Sequence, residues 1–322
     1  MILLWRITTH CNFSCGFCAY DRRLPIARHA ADPDEVERVI GLVADAARMR
    51  GEPLLVSWLG GEPMLWRPLF GLSARLARHA AVALSMTSNG TRMDNLEVRR
   101  HLLDHFAEVT FSLDGPASVH DGLRGAPGAY DRVRSAIVAL ASERAREGAR
   151  LKLRANIVLM QATLPSFADL CRTLADWGID DITFNQLGGR DRPDFFPAQA
   201  LRPDDSRRLS DTIPALKDEL GARGVRLCAS PDYLARIDAS TRGHPLAVHD
   251  CGPGEQFLFV DELGRIGPCS FTLDDHGVAI DQLRTVADVD SLAARFRQSR
   301  QRHRAAVCDD CPSTQFFGKF AA

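Results

Sequence analysis

The chain has almost no net charge, no long apolar run, no low-complexity tract and no export signal, and each absence removes a class of function. With 40 Lys and Arg against 41 Asp and Glu, its formal charge is -1. No general field therefore draws it to nucleic acid or to an anionic membrane, and neither is expected as a partner. No apolar stretch approaches the length that spans a bilayer. The opening MILLW is apolar, but it has no charged leader and runs into a cysteine loop without a cleavage site, so a signal peptide is not expected. Nine cysteines without export point to metal ligation in a reducing cytoplasm rather than to disulfides. At 322 residues and 45% hydrophobic content, the chain can fill one barrel-sized core and one small appendage.

The first cysteines are Cys11, Cys15 and Cys18 in ITTHCNFSCGFCAY. The Cys-x3-Cys-x2-Cys spacing brings three thiolates to three corners of an iron-sulfur cubane and leaves one iron open for chemistry. The alternative is zinc, but a structural zinc site wants four closed tetrahedral ligands. Only three cysteines lie here, and His10 is crowded against Cys11. The loop follows MILLWRITT, an apolar, β-branched strand beginning at residue 2, so it leaves a strand's C-terminal end. In barrels that end is the active face.

Strands and helices alternate along the chain, which argues for parallel β/α units. A helix is expected over 33–50, with Asp32 as cap and Pro33 in its first turn. Strands are expected at 53–59, 82–88, 108–114, 151–159 and 181–187, with further helices at 129–148 and 165–177. The fold class is α/β. Six units suggest an open partial (β/α)6 TIM-type barrel rather than a closed eight-stranded one. The turn-rich segment 188–205 reads as a long loop on the active face. The basic run RFRQSRQRHR at 295–304 reads as a solvated helix face, with docking of an acidic electron donor as the second option.

With Phe17 just before the last cysteine, the front loop resembles the signature of the radical S-adenosylmethionine (SAM) superfamily. The resemblance implies that the open iron of a [4Fe-4S] cluster chelates the amino and carboxylate groups of SAM. An electron entering the sulfonium then releases a 5'-deoxyadenosyl radical, which takes a hydrogen atom from substrate; the cofactor does the chemistry and the protein aims it. Gly60-Gly61-Glu62-Pro63 resembles the family's GGEP segment, which contacts the SAM amino group, where glycine allows close backbone approach. Its alternative is an ordinary strand-to-loop turn. Thr87-Ser88-Asn89-Gly90 is similar to the family's TNG turn, and Asn89 suits either a tight turn or a polar contact. FSLDGPASVHDGLRG (111–125) resembles the SxDGP-x3-HD-x2-R stretch of members that carry an extra C-terminal cluster domain. That implies Ser112 on the SAM ribose and Arg124 on its carboxylate. Asp114 would serve SAM or the turn, and His120 and Asp121 would fix the loop that delivers Arg124. Asn156, polar on a buried strand, is a further candidate SAM contact.

Cys251, Cys269, Cys308 and Cys311 form a second set, and four ligands make a closed site. FLFVDELGRIGPC (257–269) reads as a hairpin turning at Asp261-Glu262-Leu263-Gly264, which carries Cys251 and Cys269 to one side. The layout resembles the SPASM domain and the shorter twitch domain found after radical SAM barrels. Since the chain ends eleven residues after Cys311 without another cysteine, twitch is the better match. The expected division is a barrel over 1–230 and an auxiliary domain of hairpin plus helix over 231–322. Structural zinc is the alternative for this set; behind a radical SAM barrel, an auxiliary [4Fe-4S] cluster that accepts an electron is the expectation. Cys171 and Cys228 read as buried packing residues.

The resemblance implies a radical SAM oxidoreductase. Twitch relatives accompany oxidation of small molecules, such as alcohols in aminoglycoside pathways, so dehydrogenation of a small biosynthetic metabolite is expected. Oxidation or crosslinking of a peptide or protein side chain is the alternative, and a non-catalytic iron-sulfur or zinc scaffold is the rival class. A barrel starting at residue 2 leaves no leader-peptide recognition domain before it. The expected partners are the substrate and a flavodoxin or ferredoxin electron donor. Asp191, Asp194, Asp250 and Glu255 are unranked candidates for the substrate's proton acceptor.

Overall fold

A computed structural model describes residues 1–320. The chain opens with β1 (Ile2–Thr8), α1 (Pro33–Met49), β2 (Leu54–Gly60), α2 (Leu69–Leu76), β3 (Val82–Ser88), α3 (Leu96–His105) and β4 (Glu108–Ser112). It continues through α4 (Ala117–Arg124), α5 (Ala129–Glu147), β5 (Lys152–Leu159), α6 (Phe167–Asp176) and β6 (Asp181–Gln186). Then come α7 (Phe196–Gln199), α8 (Pro203–Gly221), β7 (Arg226–Leu227) and α9 (Pro231–Thr241). The last elements are β8 (Phe257–Val260), β9 (Arg265–Gly267), α10 (Leu273–His276), β10 (Val278–Ala279) and α11 (Val286–Arg302). Helix α1 begins where expected, because the Asp32 carboxylate accepts from the Asp34 and Glu35 amides and Pro33 occupies the first turn.

The strands β1 to β6 lie side by side and parallel in chain order, the core of a partial (β/α)6 barrel. Successive side chains alternate between its faces. Leu3, Trp5 and Ile7, Val56 and Trp58, Val109 and Phe111, and Ile182 and Phe184 are buried in one apolar core with the helices. The opposite, concave face is polar, carrying Ser57, Ser85, Thr110, Arg154, Asn156, Asp181, Thr183 and Asn185. Parallel sheets ordinarily bury apolar side chains on both faces, so these polar side chains, mixed with Leu4, Leu55 and Val158 on the same face and mostly buried, need partners of their own.

Three features depart from the sequence-based expectation. The fourth strand stops at Ser112 rather than at residue 114, because the chain turns at Gly115 with φ +143°. The segment 188–205 is not one long loop: it contains α7 and the first turn of α8. The hairpin β8–β9 also joins the barrel's own sheet, with β8 parallel to β1 and Leu4 opposite Phe259. The sheet of the described residues therefore runs β10-β9-β8-β1-β2-β3-β4-β5-β6-β7, across the 230/231 division. An uncovered β1 would present an unpaired edge, and the apolar FLFV run of β8 covers it.

The hairpin's turn is built on Asp261, which is fully buried. Its carboxylate accepts from the Leu263 amide at 3.1 Å, the Arg265 amide at 2.8 Å and Arg265 Nε at 2.9 Å, and Gly264 closes the turn at φ +77°. Asp261→Ala strips these donors of their acceptor and should lower the unfolding free energy by about 3 kcal/mol. Leu263→Ala, at the exposed tip, should change it by less than about 0.5 kcal/mol. Guanidinium denaturation of the two variants side by side checks the difference.

Candidate iron-sulfur and SAM site

The first cysteine loop is held by a set of side-chain and backbone hydrogen bonds. Arg28 donates to the carbonyls of Thr9 at 2.8 Å, Tyr20 at 3.1 Å and Asp21 at 2.6 Å. Arg23 bonds Asp21 at 2.7 Å and the Ser14 carbonyl at 3.0 Å, and its hydrogen bonds hold the Asp21 carboxyl down at about 2. Arg192, from the segment after β6, reaches the same carboxylate at 3.2 Å. On the other side, Ser14 N donates to Arg124 O at 3.1 Å and Gly16 N to Leu123 O at 3.3 Å, which clamps the loop to the end of α4. Phe13 and Cys15 pack against Ala126 and Ala129, with Cys11, Phe17 and Cys18 around them.

Burial pushes the Cys11 thiol up to about 12 and Cys18 up to about 11, and each feels the neighbouring sulfurs. Cys15 is raised by burial and drawn back by Arg124. The Phe13 amide points at Cys11 Sγ at 3.4 Å and the Tyr20 amide at Cys18 Sγ at 3.3 Å, donors suited to sulfur that carries negative charge. Among the described residues no three His, Cys, Asp or Glu side chains are gathered tightly around one point for a single ion. Three soft thiols, amide donors aimed at sulfur and a nearby guanidinium fit the donor set of an iron-sulfur cluster.

Arg124 is buried beside these thiols. Its Nη2 lies 2.5 Å and its Nε 2.6 Å from Asp114 Oδ2, its Nη1 is 3.9 Å from Cys15 Sγ, and its guanidinium stands 5.2 Å from the Phe17 ring centre. Burial opposes the charge, yet Asp114 and the Cys15 sulfur hold the pKa above its ordinary value. The other oxygen of Asp114 accepts from the Val158 amide at 2.7 Å. The fork expected on the SAM carboxylate is thus engaged by Asp114. His120 Nδ1 accepts from the Asp114 amide at 3.2 Å, and burial lowers its pKa to about 4, so it is neutral. Asp121 accepts from the Gly128 and Tyr130 amides at 2.6 and 2.9 Å and starts α5. Both residues have the structural roles expected of them.

The GGEP segment approaches the cysteine loop itself. A Cβ on Gly60 would come within 2.5 Å of Thr8 O, and one on Gly61 would collide with His10 O. Gly61 N and Glu62 N each donate at 2.8 Å to those same carbonyls, so here the glycines admit the chain's own backbone. Glu62 is fully buried and accepts from the Met64 amide at 3.2 Å, Ser88 Oγ at 2.9 Å and the Asn89 amide at 2.8 Å. Burial raises its pKa. Pro63 begins the short turn Pro63–Leu65. Asn89 donates to Asn12 Oδ1 at 2.8 Å and accepts from Thr91 Oγ1 at 2.7 Å, while Asn12 donates to Thr91 Oγ1 at 2.9 Å. Glu62, Asn89 and Asn12 therefore lock the ends of β2 and β3 to the cysteine loop.

Ser112, the last residue of β4, lies opposite Asn156 of β5. The Asn156 amide oxygen takes Lys319 Nζ at 2.7 Å and Thr183 Oγ1 at 3.1 Å, rather than standing free for a ligand. Sequence reasoning missed Lys319, Asn12, Thr91, Arg28 and Arg192. Asn12 and Thr91 adjoin recognised motifs and could have been suspected, but the others carried no signal. Asp194 pairs with Arg192 and Glu255 with Arg297, while Asp191 lies near Cys18.

The second cysteine set also converges. Burial raises Cys308 and Cys311, and each feels Cys251 and Cys269. The basic run at 295–304 is turned to these loops rather than only to solvent. Arg300 reaches Cys251 Sγ at 2.9 Å and the His249 carbonyl at 3.1 Å, and Arg304 holds the carbonyls of Val248 at 3.1 Å and Cys308 at 2.9 Å. Four thiols with two adjacent guanidiniums suit a closed, negatively charged cluster.

Residues 5–161 match the family model described as the radical SAM superfamily. The chain is similar to AdoMet-dependent heme synthase of Methanosarcina barkeri, 24% identical over 285 residues that cover 84% of this chain and 76% of that one. It is also similar to the mycofactocin maturase MftC of Mycobacterium tuberculosis, 24% identical over 315 residues, 96% of this chain and 75% of the other. Streptococcus suis SuiB bound to S-adenosylmethionine shares the fold, with a TM-score of 0.68 at 17% identity over 97% of this chain and 72% of that chain. No helix among the described residues is long and apolar enough to cross a membrane.

The glycine contacts give a direct test. At Gly125, φ is +57° and a Cβ would collide with Ser14 Oγ. Gly61→Ala and Gly125→Ala should each cost about 2–3 kcal/mol and lose most of the iron bound by the first loop. Gly122→Ala, inside α4 with no atom near the added carbon, should stabilise by about 0.5–1 kcal/mol. Denaturation together with iron content after anaerobic reconstitution separates these outcomes.

Proposed function

This chain belongs to the radical SAM superfamily, and we propose that within it the chain oxidises its substrate after reductive cleavage of SAM, with a second cluster taking up an electron. Cys11, Cys15 and Cys18 would hold the SAM-binding [4Fe-4S] cluster, and Cys251, Cys269, Cys308 and Cys311 the auxiliary one. When bound, the first cluster and SAM supply a 5'-deoxyadenosyl radical that removes a hydrogen atom from substrate. The observation that carries this reading is the three-thiol loop at the C-terminal ends of the strands, with Arg124 held between Asp114 and Cys15.

The chain's own residues bind and exclude. Gly60 and Gly61 let the end of β2 close on the cysteine loop, leaving the rim above Glu62 and Asn89 for the SAM methionine. Ser112 and Asp114 lie at the neighbouring strand end, where the nucleoside would lie. Arg124, its charge balanced by Asp114, would set a guanidinium donor beside the Cys15 ligand. Phe13 and Phe17 pack around the loop. Removal of a hydrogen atom followed by loss of a second electron and a proton is a dehydrogenation; the electron would go to the auxiliary centre, where four cysteine ligands would leave no open iron, and the proton to a nearby acceptor or to water. An acidic flavodoxin or ferredoxin is the proposed electron donor. It would find Arg22, Arg92 and Arg132 bordering an open cavity of about 450 Å³ beside the loop, none of them in an ion pair among the described residues.

A small metabolite is the first reading of the substrate. A peptide is the second, favoured by likeness to a mycofactocin maturase over nearly the whole of this chain. Anaerobic reconstitution should give about eight irons per chain, and addition of SAM and dithionite should yield 5'-deoxyadenosine. Cys15→Ser should retain about four irons and form no 5'-deoxyadenosine. Cys308→Ser should lose the auxiliary iron and still cleave SAM. Zinc in place of iron, with no SAM cleavage by the unaltered protein, would reject the enzyme reading.

A further inference from the structure

One cation on the concave face has no counter-charge among the described residues. The chain has only three lysines, Lys152, Lys217 and Lys319, and Lys319 is the one that is buried, at 5% exposure. It comes from the segment after Cys311, and its Nζ reaches across to β5 and β6. There it donates to Asn156 Oδ1 at 2.7 Å and Asn185 Oδ1 at 2.6 Å. Both acceptors are neutral amides. The Phe320 ring centre, 5.2 Å away, adds a weak attraction.

The acids of the same face are already taken. Arg154 pairs with Glu108 at 2.5 Å and Asp181 at 3.0 Å, and Asp181 also takes Arg226 at 2.6 Å and Lys152 at 3.5 Å. The titratable groups that act on Lys319 are therefore Arg154, whose own charge is taken by Glu108 and Asp181, and the Cys228 thiol. Burial, with Arg154 second, lowers the lysine's pKa to about 7. Anchoring the tail does not need this residue. Ser230 Oγ already donates to Phe317 O at 2.9 Å, and Arg236 and Arg154 stand over the Phe317 and Phe320 rings. An ammonium uses three donors; two are on the asparagines, and the third has no partner among the described residues. Each asparagine gives its oxygen to the lysine, and its amide nitrogen has no acceptor among the described residues.

We propose that Lys319, held between Asn156 and Asn185, is the recognition site for a carboxylate of the substrate. One positive charge flanked by two amide N–H groups matches a monoanion with two oxygens better than a dianionic phosphate. The inference rests on the reading of the concave face as the substrate-binding face, and it adds that the substrate is an acid. Carboxylate binding would supply a counter-charge that no described residue gives, so the lysine holds its proton more tightly when the site is filled.

The test uses reconstituted, anaerobic full-length protein labelled with 13C at lysine Cε, with succinate as the probe. Three lysine signals are expected, and the Lys319 signal is the one missing in Lys319→Met. If that variant does not fold, Lys152→Met and Lys217→Met identify it by elimination. Without succinate, Lys319 should titrate near neutral pH. Saturating succinate should raise its midpoint by a unit or more, which corresponds to at least tenfold tighter succinate binding to the charged form. The other two lysines should not move, and Lys217→Met should keep the response. A Lys319 midpoint in the ordinary lysine range, no shift with succinate, or an equal shift with chloride at the same ionic strength overturns the proposal. A larger shift with inorganic phosphate overturns the carboxylate assignment. Failure of the radical SAM reading would appear separately, as absence of 5'-deoxyadenosine, and does not enter this titration.

Discussion

The arrangement of the site depends on a guanidinium that has been taken out of water. Arg124 could not remain buried alone, because an isolated charge in a protein interior is costly enough to unfold a domain of ordinary stability. Asp114 supplies the compensation through two short bonds to one oxygen, and its other oxygen is tied to the backbone of β5. The pair therefore fixes α4 against β4 and β5. The carbonyls at the end of α4 in turn receive the amides of the cysteine loop. Cys15 is placed by this chain of contacts, and the sulfurs inherit a nearby positive charge.

Arginine does the corresponding work throughout the molecule. Arg28 and Arg23 hold carbonyls of the first cysteine loop, and Arg300 and Arg304 hold those of the second. A guanidinium has five donors in a rigid plane, so one side chain can satisfy several loop carbonyls that no ladder or helix would satisfy. The same arginines would then stand beside the proposed thiolate ligands, which would join structure to redox chemistry through one set of residues.

Much of this was legible in the sequence. Strands β1 to β6 and helices α1 and α5 end within two residues of where periodicity, caps and turn residues placed them, since local patterns are strong where one face must be buried. The radical SAM relationship was legible from Cys11, Cys15 and Cys18 with Phe17, and the family match and the fold agree with it. Less visible was what each motif residue touches. Gly61 could be suspected of admitting a close neighbour, but not that the neighbour is His10 of the same chain. Asn156 could be suspected of needing a partner, but that partner, Lys319, lies 163 residues away. The basic run at 295–304 resembled a solvated face because single-sequence periodicity cannot see the Cys251 and Cys308 loops folded over it.

By itself, the sequence determined the alternation of strands and helices, the two cysteine sets and the chemistry that sulfur in such spacing can support. These are properties of neighbours along the chain, where caps, turns and ligand spacing act over a few residues. Tertiary structure alone decided that the C-terminal hairpin completes the barrel's sheet beside β1, that Arg124 spends its fork on Asp114, and that a lysine from the last turn reaches the polar face. Each of these joins groups far apart in sequence. They meet because an open sheet edge, a buried charge and an unsatisfied amide oxygen each require a partner, and only the folded chain determines which residue is within reach.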